Sequence, residues 1–408
     1  MITFNSIVSK LVPVGLALGI TLVSIPTFAK NELSRYSASR VMQANELAQN
    51  DDLTGAIKVL SDIDTTRQYD QAIIARMLGV FYWQNGQSSK AIEQINIAVE
   101  SRLLDDGQRW STEKMLADLL LSEQRYREAL THYQNLLSYS QVFSTVNKDE
   151  SDKQLHQSTS DVKLRIAQSH YQLEDWPSSI KAVDNLHKYT RNPNVSTLSI
   201  KLGSQLQLSQ WKSAIPTIEQ IIELDTKEVK WWRQLVSLQL KLGREKQALS
   251  SLVLIEQQRL GLNDQERYLI AQLYAKRGMP EKAARQISTL DDAETDTKLL
   301  KQQASYWQQA KEWNKATQTW LKLAKVETEY YWNAAQIMLQ EGQYERALNT
   351  LKNVDGRAEQ VALAKTRAFY KLERLDDALY QAKRANNIEP SNQANNWIQY
   401  LTQLRQMR

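Results

Sequence analysis

Residues 271–283 read AQLYAKRGMPEKA, and the spacing inside them decides the fold. Ala283 is a small residue at a position that should belong to the second of two helices; Gly278 stands five positions before it and Ala271 twelve before it. Glycine enters the left-handed region without a Cβ penalty, so Gly278 suits the cap that ends a first helix. Ala271 suits the place where two antiparallel helices cross closely. The stretch predicts helix, tight turn, helix.

The same spacing recurs on both sides of it, from about Ser37 to the end of the chain. The anchors are Ala56, Ala91, Ala129, Ser179, Ala214, Ala248, Ala283, Ala316, Ala347 and Ala378, separated by 35, 38, 50, 35, 34, 35, 33, 31 and 31 residues. Glycines stand five before the anchor at Gly86, Gly243, Gly278 and Gly342. Aromatic residues three before it, Tyr126, Trp176, Trp211, Trp313 and Tyr344, are expected to wedge between the helices of a pair. Small or apolar residues stand twelve before it at Gly79, Ala117, Ala167, Val236, Ala271, Ala304 and Ala335. The first unit lacks most landmarks, and the fourth has Ser179 where alanine is expected.

Composition agrees with helices. The 12 glycines and 7 prolines in 408 residues are about half of ordinary usage or less. A hydrophobic fraction of 42%, with 11 Trp and 17 Tyr, is enough to build a folded core. The 51 basic residues barely outnumber 46 acidic ones, a balance too thin for a nucleic-acid partner. The absence of cysteine removes thiol nucleophiles, disulfides and thiolate zinc sites.

A period near 34 residues with these landmarks resembles the tetratricopeptide repeat family. Trp232 to Leu235 as WxxL, Leu78-Gly79 followed by Tyr82, and Asn387-Ile388-Glu389-Pro390 match its consensus. The resemblance implies an all-α, TPR-like α-solenoid, a right-handed superhelix of helix-turn-helix repeats. About ten repeats would cover residues 37–390, with an inserted loop near 141–160 inside the gap of 50. Residues 391–408 would form a capping helix, with Ser391 as N-cap and Trp397, Leu401 and Leu404 on one face.

Residues 1–29 are a different kind of sequence. Lys10 precedes an almost wholly apolar run from Leu11 to Ile25, which closes on Pro26, Thr27, Phe28 and Ala29. That is the layout of a secretory signal peptide, with cleavage expected between Ala29 and Lys30 and a periplasmic location for the repeats. The alternative is an uncleaved inner-membrane anchor facing the periplasm, since residues 11–28 are about long enough to span a bilayer.

Motifs for chemistry are missing. There is no GxGxxG, GxxxxGK[ST] or GxSxG, and His132, His156, His170 and His187 show no HExxH spacing. The acid pairs Asp51-Asp52, Asp105-Asp106, Asp291-Asp292 and Asp376-Asp377 read as helix caps rather than acid–base couples. Trp231-Trp232, Trp307, Trp313, Trp320 and Tyr330-Tyr331-Trp332 read mostly as packing. No catalytic residue, cofactor or metal is expected, and the chain reads as a non-enzyme.

A ligand of such a fold would lie along the inner wall made by the first helices. Counting back fifteen from the anchors places Arg76, Lys114, Arg233, Tyr268, Lys301 and Trp332 there; counting back eight or eleven adds Trp83, Tyr171, Arg367 and Tyr370. Cations mixed with aromatics would suit an acidic peptide with apolar anchors, or they are simply solvated surface groups. The family's carboxylate clamp has Asn four positions after such lysines. Here Val80, Asp118, Ser237, Gln272 and Ser305 stand there, so that mode is not expected.

Longer phrases narrow the resemblance. MLGVFYWQNGQ (77–87), MLADLLLSEQ (115–124), RIAQSHYQLE (165–174), KLGSQLQLSQWKSAIPT (201–217) and AQLYAKRG (271–278) look like one subfamily. It is the exported TPR protein that accompanies the second TonB-ExbB-ExbD system of marine gammaproteobacteria. The resemblance implies a non-catalytic scaffold around energised iron uptake, with TonB- or ExbD-type partners. The alternatives are an adaptor for peptidoglycan enzymes or outer-membrane proteins and, more remotely, a glycan-active enzyme.

Overall fold

The computed structural model describes residues 32–143 and 151–407. The expected signal segment 1–29, its cleavage site and the alternative anchor lie outside the described residues. Among the described residues there are 21 α-helices, one short 3₁₀ helix and no strand. None of these helices is long and apolar enough to cross a membrane.

The chain divides into two units, residues 1–226 and 227–408. The first unit holds five helix pairs: α1 (Arg35–Gln49) with α2 (Leu53–Ser61), α3 (Gln68–Gln84) with α4 (Ser88–Ser101), α5 (Asp106–Ser122) with α6 (Tyr126–Phe143), α7 (Ser151–Gln172) with α8 (Trp176–Thr190), and α9 (Val195–Gln207) with α10 (Trp211–Leu224). The second unit holds another five pairs. They are α11 (Val229–Lys241) with α12 (Glu245–Gln257), α13 (Asp264–Lys276) with α14 (Pro280–Ile287), α15 (Thr297–Gln309) with α16 (Trp313–Ala324), α17 (Tyr331–Gln340) with α18 (Tyr344–Thr350), and α19 (Ala358–Lys371) with α20 (Leu375–Ile388). A single helix, α21 (Asn392–Gln406), follows, with the Ser391 hydroxyl accepting from the Ala394 N–H at 3.2 Å.

The junctions inside the ten pairs are alike. The residue five before each anchor has positive φ: Gly86, Gly243, Gly278 and Gly342 between 69° and 73°, and Asp51, Gln124, Glu174, Ser209, Lys311 and Glu373 between 56° and 62°. At every junction the next N–H reaches the carbonyl five residues back, as Arg125 does to Leu120 at 2.8 Å and Arg244 to Gln239 at 2.7 Å. This is the Schellman cap, which satisfies carbonyls left free at the helix end and turns the chain into the second helix. Glycine marks only four of the ten. At the others the cap's hydrogen bonds and the packing of the pair offset the cost of a Cβ in that region.

Side-chain size then closes each pair. All ten anchors, Ser179 included, are fully buried. A Cβ on Gly79 would lie 2.4 Å from Ile95 Cγ1, so this first helix runs closer to its partner than alanine permits. Ile95, Leu116, Leu120, Tyr133 and Leu136 form part of the first unit's core, and Trp307, Trp320, Leu323 and Tyr330 part of the second's. Each fully buried aliphatic side chain contributes on the order of 1.5–3 kcal/mol. Within each unit the substantial contacts join helices adjacent in sequence, which is the nearest-neighbour logic of a repeat solenoid. Both units are thus all-α, TPR-like solenoid segments.

The loop expected at residues 141–160 is helical at both of its ends, and its middle, residues 144–150, lies outside the described residues. Helix α6 continues to Phe143 and α7 begins at Ser151, so within residues 141–160 only 144–150 fall outside described helix. The stretch contains neither Gly nor Pro, and its Gln, Lys and Glu are good helix formers.

Candidate functional site

Every one of the ten predicted wall residues lies on a first helix: Arg76 and Trp83 on α3, Lys114 on α5, Tyr171 on α7, Arg233 on α11, Tyr268 on α13, Lys301 on α15, Trp332 on α17, and Arg367 and Tyr370 on α19. Their partners differ from the expectation of groups held ready for a ligand.

The residues fifteen before the anchors reach across to the following pair. Arg76 Nε donates to Thr112 Oγ1 on α5 at 2.9 Å. Lys114 Nζ is 3.0 Å from Asp161 on α7 and 2.7 Å from Asp118 on its own helix. In the second unit, Arg233 grips Glu266 of α13 at 2.6 and 3.2 Å and donates to the Gly261 carbonyl at 3.0 Å. The Tyr268 hydroxyl donates to Gln302 Oε1 of α15 at 2.8 Å. Lys301 Nζ lies 5.3 Å from the ring centre of Tyr330, in the 3₁₀ turn before α17. The Arg357 guanidinium, just before α19, sits 5.9 Å from the Trp332 ring centre. In six of the ten units position fifteen therefore works as a rung toward the next pair; in the other four Val41, Leu164, Ser199 and Leu363 stand there.

The electrostatics follow. Burial alone would pull the Lys114 ammonium down, but the Asp118 and Asp161 carboxylates overcome it and hold the group above its ordinary range. Burial likewise opposes the charge on Glu266, yet the Arg233 guanidinium and the Asn263 N–H hold its carboxyl below the usual value. Arg76 has no carboxylate in contact, and burial lowers it. The Tyr133 hydroxyl, fully buried and 2.5 Å from Asp118 Oδ1, is pushed far up by burial first and by that carboxylate second. Asp118 occupies the clamp position that the family fills with Asn, and here it ties α5 to α6 as well as holding Lys114. Reversing the charge at Arg76, Lys114 or Arg233 therefore disturbs the stacking of pairs as well as any ligand.

The aromatic wall residues are half-buried. Trp83 packs against the core around Ala91 and Leu116. Tyr171 meets Trp176 edge to face at 5.0 Å, and its hydroxyl lies where a Cβ on Gly203 of α9 would come within 2.8 Å. Tyr370 joins Trp397 and Tyr400 of α21 in an aromatic cluster, while Arg367 is exposed. Trp397 was legible as one face of the last helix; Tyr400, one turn on, was missed because only its partnership with Tyr370 marks it.

The remaining motifs resolve into structure. Asp52 and Asp105 are N-caps, accepting from Gly55 and Gln108 at 2.8 Å each. The other two pairs are not caps: Asp377 pairs with Arg374, Asp376 with Arg405, and the Asp291 N–H donates to Asp264. Trp231, Trp232, Trp307 and Trp320 are buried, and Trp313, Tyr331 and Trp332 half-buried. His132 lies 3.2 Å from Glu113, His170 3.1 Å from Asp175 and His187 2.7 Å from Thr197. Among the described residues no three His, Cys, Asp or Glu gather as a metal site.

No protein-family description and no curated protein sequence matches the chain. Among solved structures it is similar to Naa15/Naa10 bound to HypK-THB, with a TM-score of 0.46 and 13% identity over 90% of this chain and 59% of that one. The C-terminal part of a TPR repeat-containing protein from Cytophaga hutchinsonii gives 0.36 and 13%, over 70% and 94%. YrrB, a TPR protein with an unusual peptide-binding site, gives 0.34 and 18%, over 51% and 96%. With TM-scores below 0.5, none of these bears the weight of the assignment; the architecture rests on the ten caps and the ten buried anchors.

Proposed function

We propose that the first-helix face of each unit is a protein-binding surface and that the chain is a non-catalytic scaffold. One observation carries this reading: the rungs from Arg76, Lys114, Arg233 and Tyr268 lock successive first helices in register. The half-buried aromatics between the rungs are thereby held in place before any ligand arrives. A surface ordered in advance loses less conformational entropy on binding, so more of its contact energy appears as affinity. With Lys114 and Arg233 neutralised by the carboxylates of their rungs, the favoured partner shifts from a strongly acidic peptide toward one recognised by apolar and hydrogen-bonding contacts.

The finer reading is that of an exported, periplasmic accessory of a TonB-type energy-transduction system for iron uptake. The signal-like residues 1–29 and the phrase-level resemblance of residues 77–278 support it. Photo-crosslinking in intact cells from positions 332 and 367 tests it, followed by identification of the trapped species. Capture of TonB- or ExbD-type proteins is expected. Capture of a wall synthase or an assembly factor instead would support an envelope-assembly adaptor. Crosslinks arising only from second-helix positions such as 345 would overturn the first-helix reading.

A further inference from the structure

Tyr370 ends the series of predicted wall residues, and the structure gives it two partners. Its ring centre lies 5.3 Å from that of Trp397 and 5.7 Å from that of Tyr400, and those two lie 6.1 Å apart. The planes are inclined at 59°, 69° and 70°, so Tyr400 meets both other rings edge to face while Tyr370 and Trp397 are tilted to one another. The two tyrosyl hydroxyls share a hydrogen bond of 2.9 Å. Gln393 and Asn396, both exposed, complete the lining of an open concavity of about 570 Å³.

The lining contains aromatic and carboxamide side chains and no charged group. Lys371 Nζ lies 5.8 Å from the Tyr370 ring centre, so the ring face a cationic ligand would need already has a cation beside it. A neutral ligand fits better. It must offer flat apolar surface to inclined rings and acceptors to the Gln393 and Asn396 amides. One tyrosyl proton is also free for it, since only one of the two hydroxyls donates in their shared bond.

We propose that this concavity binds a proline-rich segment of a partner protein in the extended polyproline II conformation. The proposal rests on the protein-binding reading above and names a partner chemistry for it. A polyproline II backbone has no internal hydrogen bonds, so its carbonyls face outward as acceptors. Prolyl rings pack against the aromatic side chains that line a groove, and the stiff chain loses little entropy on docking. A sugar ring, by contrast, stacks on a broad open aromatic face, and here neighbouring ring edges cross the faces.

The test uses the full chain and three fluorescently labelled probes in anisotropy titrations: a dodecapeptide of Pro-Pro-Ala repeats, a Gly-Ser peptide of equal length, and a chitooligosaccharide. Saturable binding is expected for the proline-rich peptide alone. Tyr400→Ala should weaken it about tenfold, and Gln393→Ala by a smaller factor. Tyr400 is 45% exposed, so its removal should leave the circular dichroism melt nearly unchanged. Trp397→Phe is the second variant, because Trp397 also packs against Ala362, Leu363 and Leu401 and its full truncation would disturb α21. No saturable binding of the proline-rich peptide, or binding indifferent to Tyr400→Ala, overturns the proposal. So does Tyr400-dependent binding of the chitooligosaccharide, which would make the site a glycan site. Proteins trapped at position 332 with no proline-rich binding would remove this inference and leave the scaffold reading standing.

Discussion

The Ser179 hydroxyl donates to the Ala167 carbonyl at 3.1 Å, joining the two positions that bring the helices of a pair into contact. Ser179 is the one anchor that is not alanine, and it is as buried as the rest. The hydroxyl is tolerated because a main-chain acceptor lies within reach across the crossing, so no donor is stranded. Ser179→Ala should change stability by less than about 0.5 kcal/mol, since a lost hydrogen bond is offset by better helix propensity. Ser179→Leu should cost about 1–3 kcal/mol by overpacking. Urea unfolding of the two variants against the parent chain checks both.

The ten left-handed caps separate glycine from non-glycine sites. Lys311→Gly removes a Cβ from φ 59° and should stabilise by about 1 kcal/mol. Gly278→Ala adds one at φ 69° and should destabilise by a similar amount. No neighbour lies within 4 Å of a Cβ built there, so sterics beyond the backbone do not contribute. Opposite shifts in thermal midpoint are the readout.

Gly79 differs in kind from Gly278. It lies inside α3, and an added Cβ would fall 2.4 Å and 2.5 Å from Ile95 Cγ1 and Cδ1 and 3.2 Å from the Ala91 carbonyl oxygen. Gly79→Ala should cost about 1–3 kcal/mol despite the helix propensity it gains. The pair Gly79→Ala with Ile95→Val should recover part of that loss, because room returns where the Cβ intrudes. Recovery in a double-mutant cycle is the check.

Glu266 sets a pH dependence. Its carboxyl is held below its ordinary 4.5 in the fold, so the stability it adds is fully present above that value and is lost as pH falls through the folded value. Arg233 is 41% exposed, so screening keeps the effect below about 1 kcal/mol. Glu266→Gln should melt lower than the parent chain near neutral pH and converge with it in acid. Melting curves from about pH 7 down to about pH 3 read this directly.

Lys114→Glu would set a third carboxylate beside Asp118 and Asp161 and should cost about 1–3 kcal/mol. Lys301 is exposed and meets the Tyr330 side chain, with Glu329 and Glu327 acting on it electrostatically, so Lys301→Glu should affect stability much less. Comparing their melting temperatures distinguishes a rung that holds pairs together from one that lies on the surface.

Much of the architecture was legible in a single residue spacing. A small anchor, a turn five residues earlier and a small residue twelve earlier are demanded by two helices crossing at close range. That demand is local and recurs along the chain, so Ala271, Gly278 and Ala283 suffice to read it. The placement of all ten wall residues on first helices followed from the same phase. At residues 141–143 and 151–160 the expected loop gives way to helix, because helix needs only the absence of Gly and Pro and an apolar stripe somewhere along it, and polarity alone does not mark a loop.

The sequence by itself determined the helix pairs, their period and the side chains that fill each crossing, because those depend on neighbours within some 35 residues along the chain. Only the tertiary structure decided what the wall residues do. Arg233 and Glu266 are 33 residues apart and meet at 2.6 Å because successive pairs stack. Tyr370 and Tyr400 are 30 apart and share a hydrogen bond because α21 lies beside α19. A cation at position fifteen looks the same in sequence whether it awaits a ligand or grips the next helix. The difference is which acceptor the stacking brings within reach.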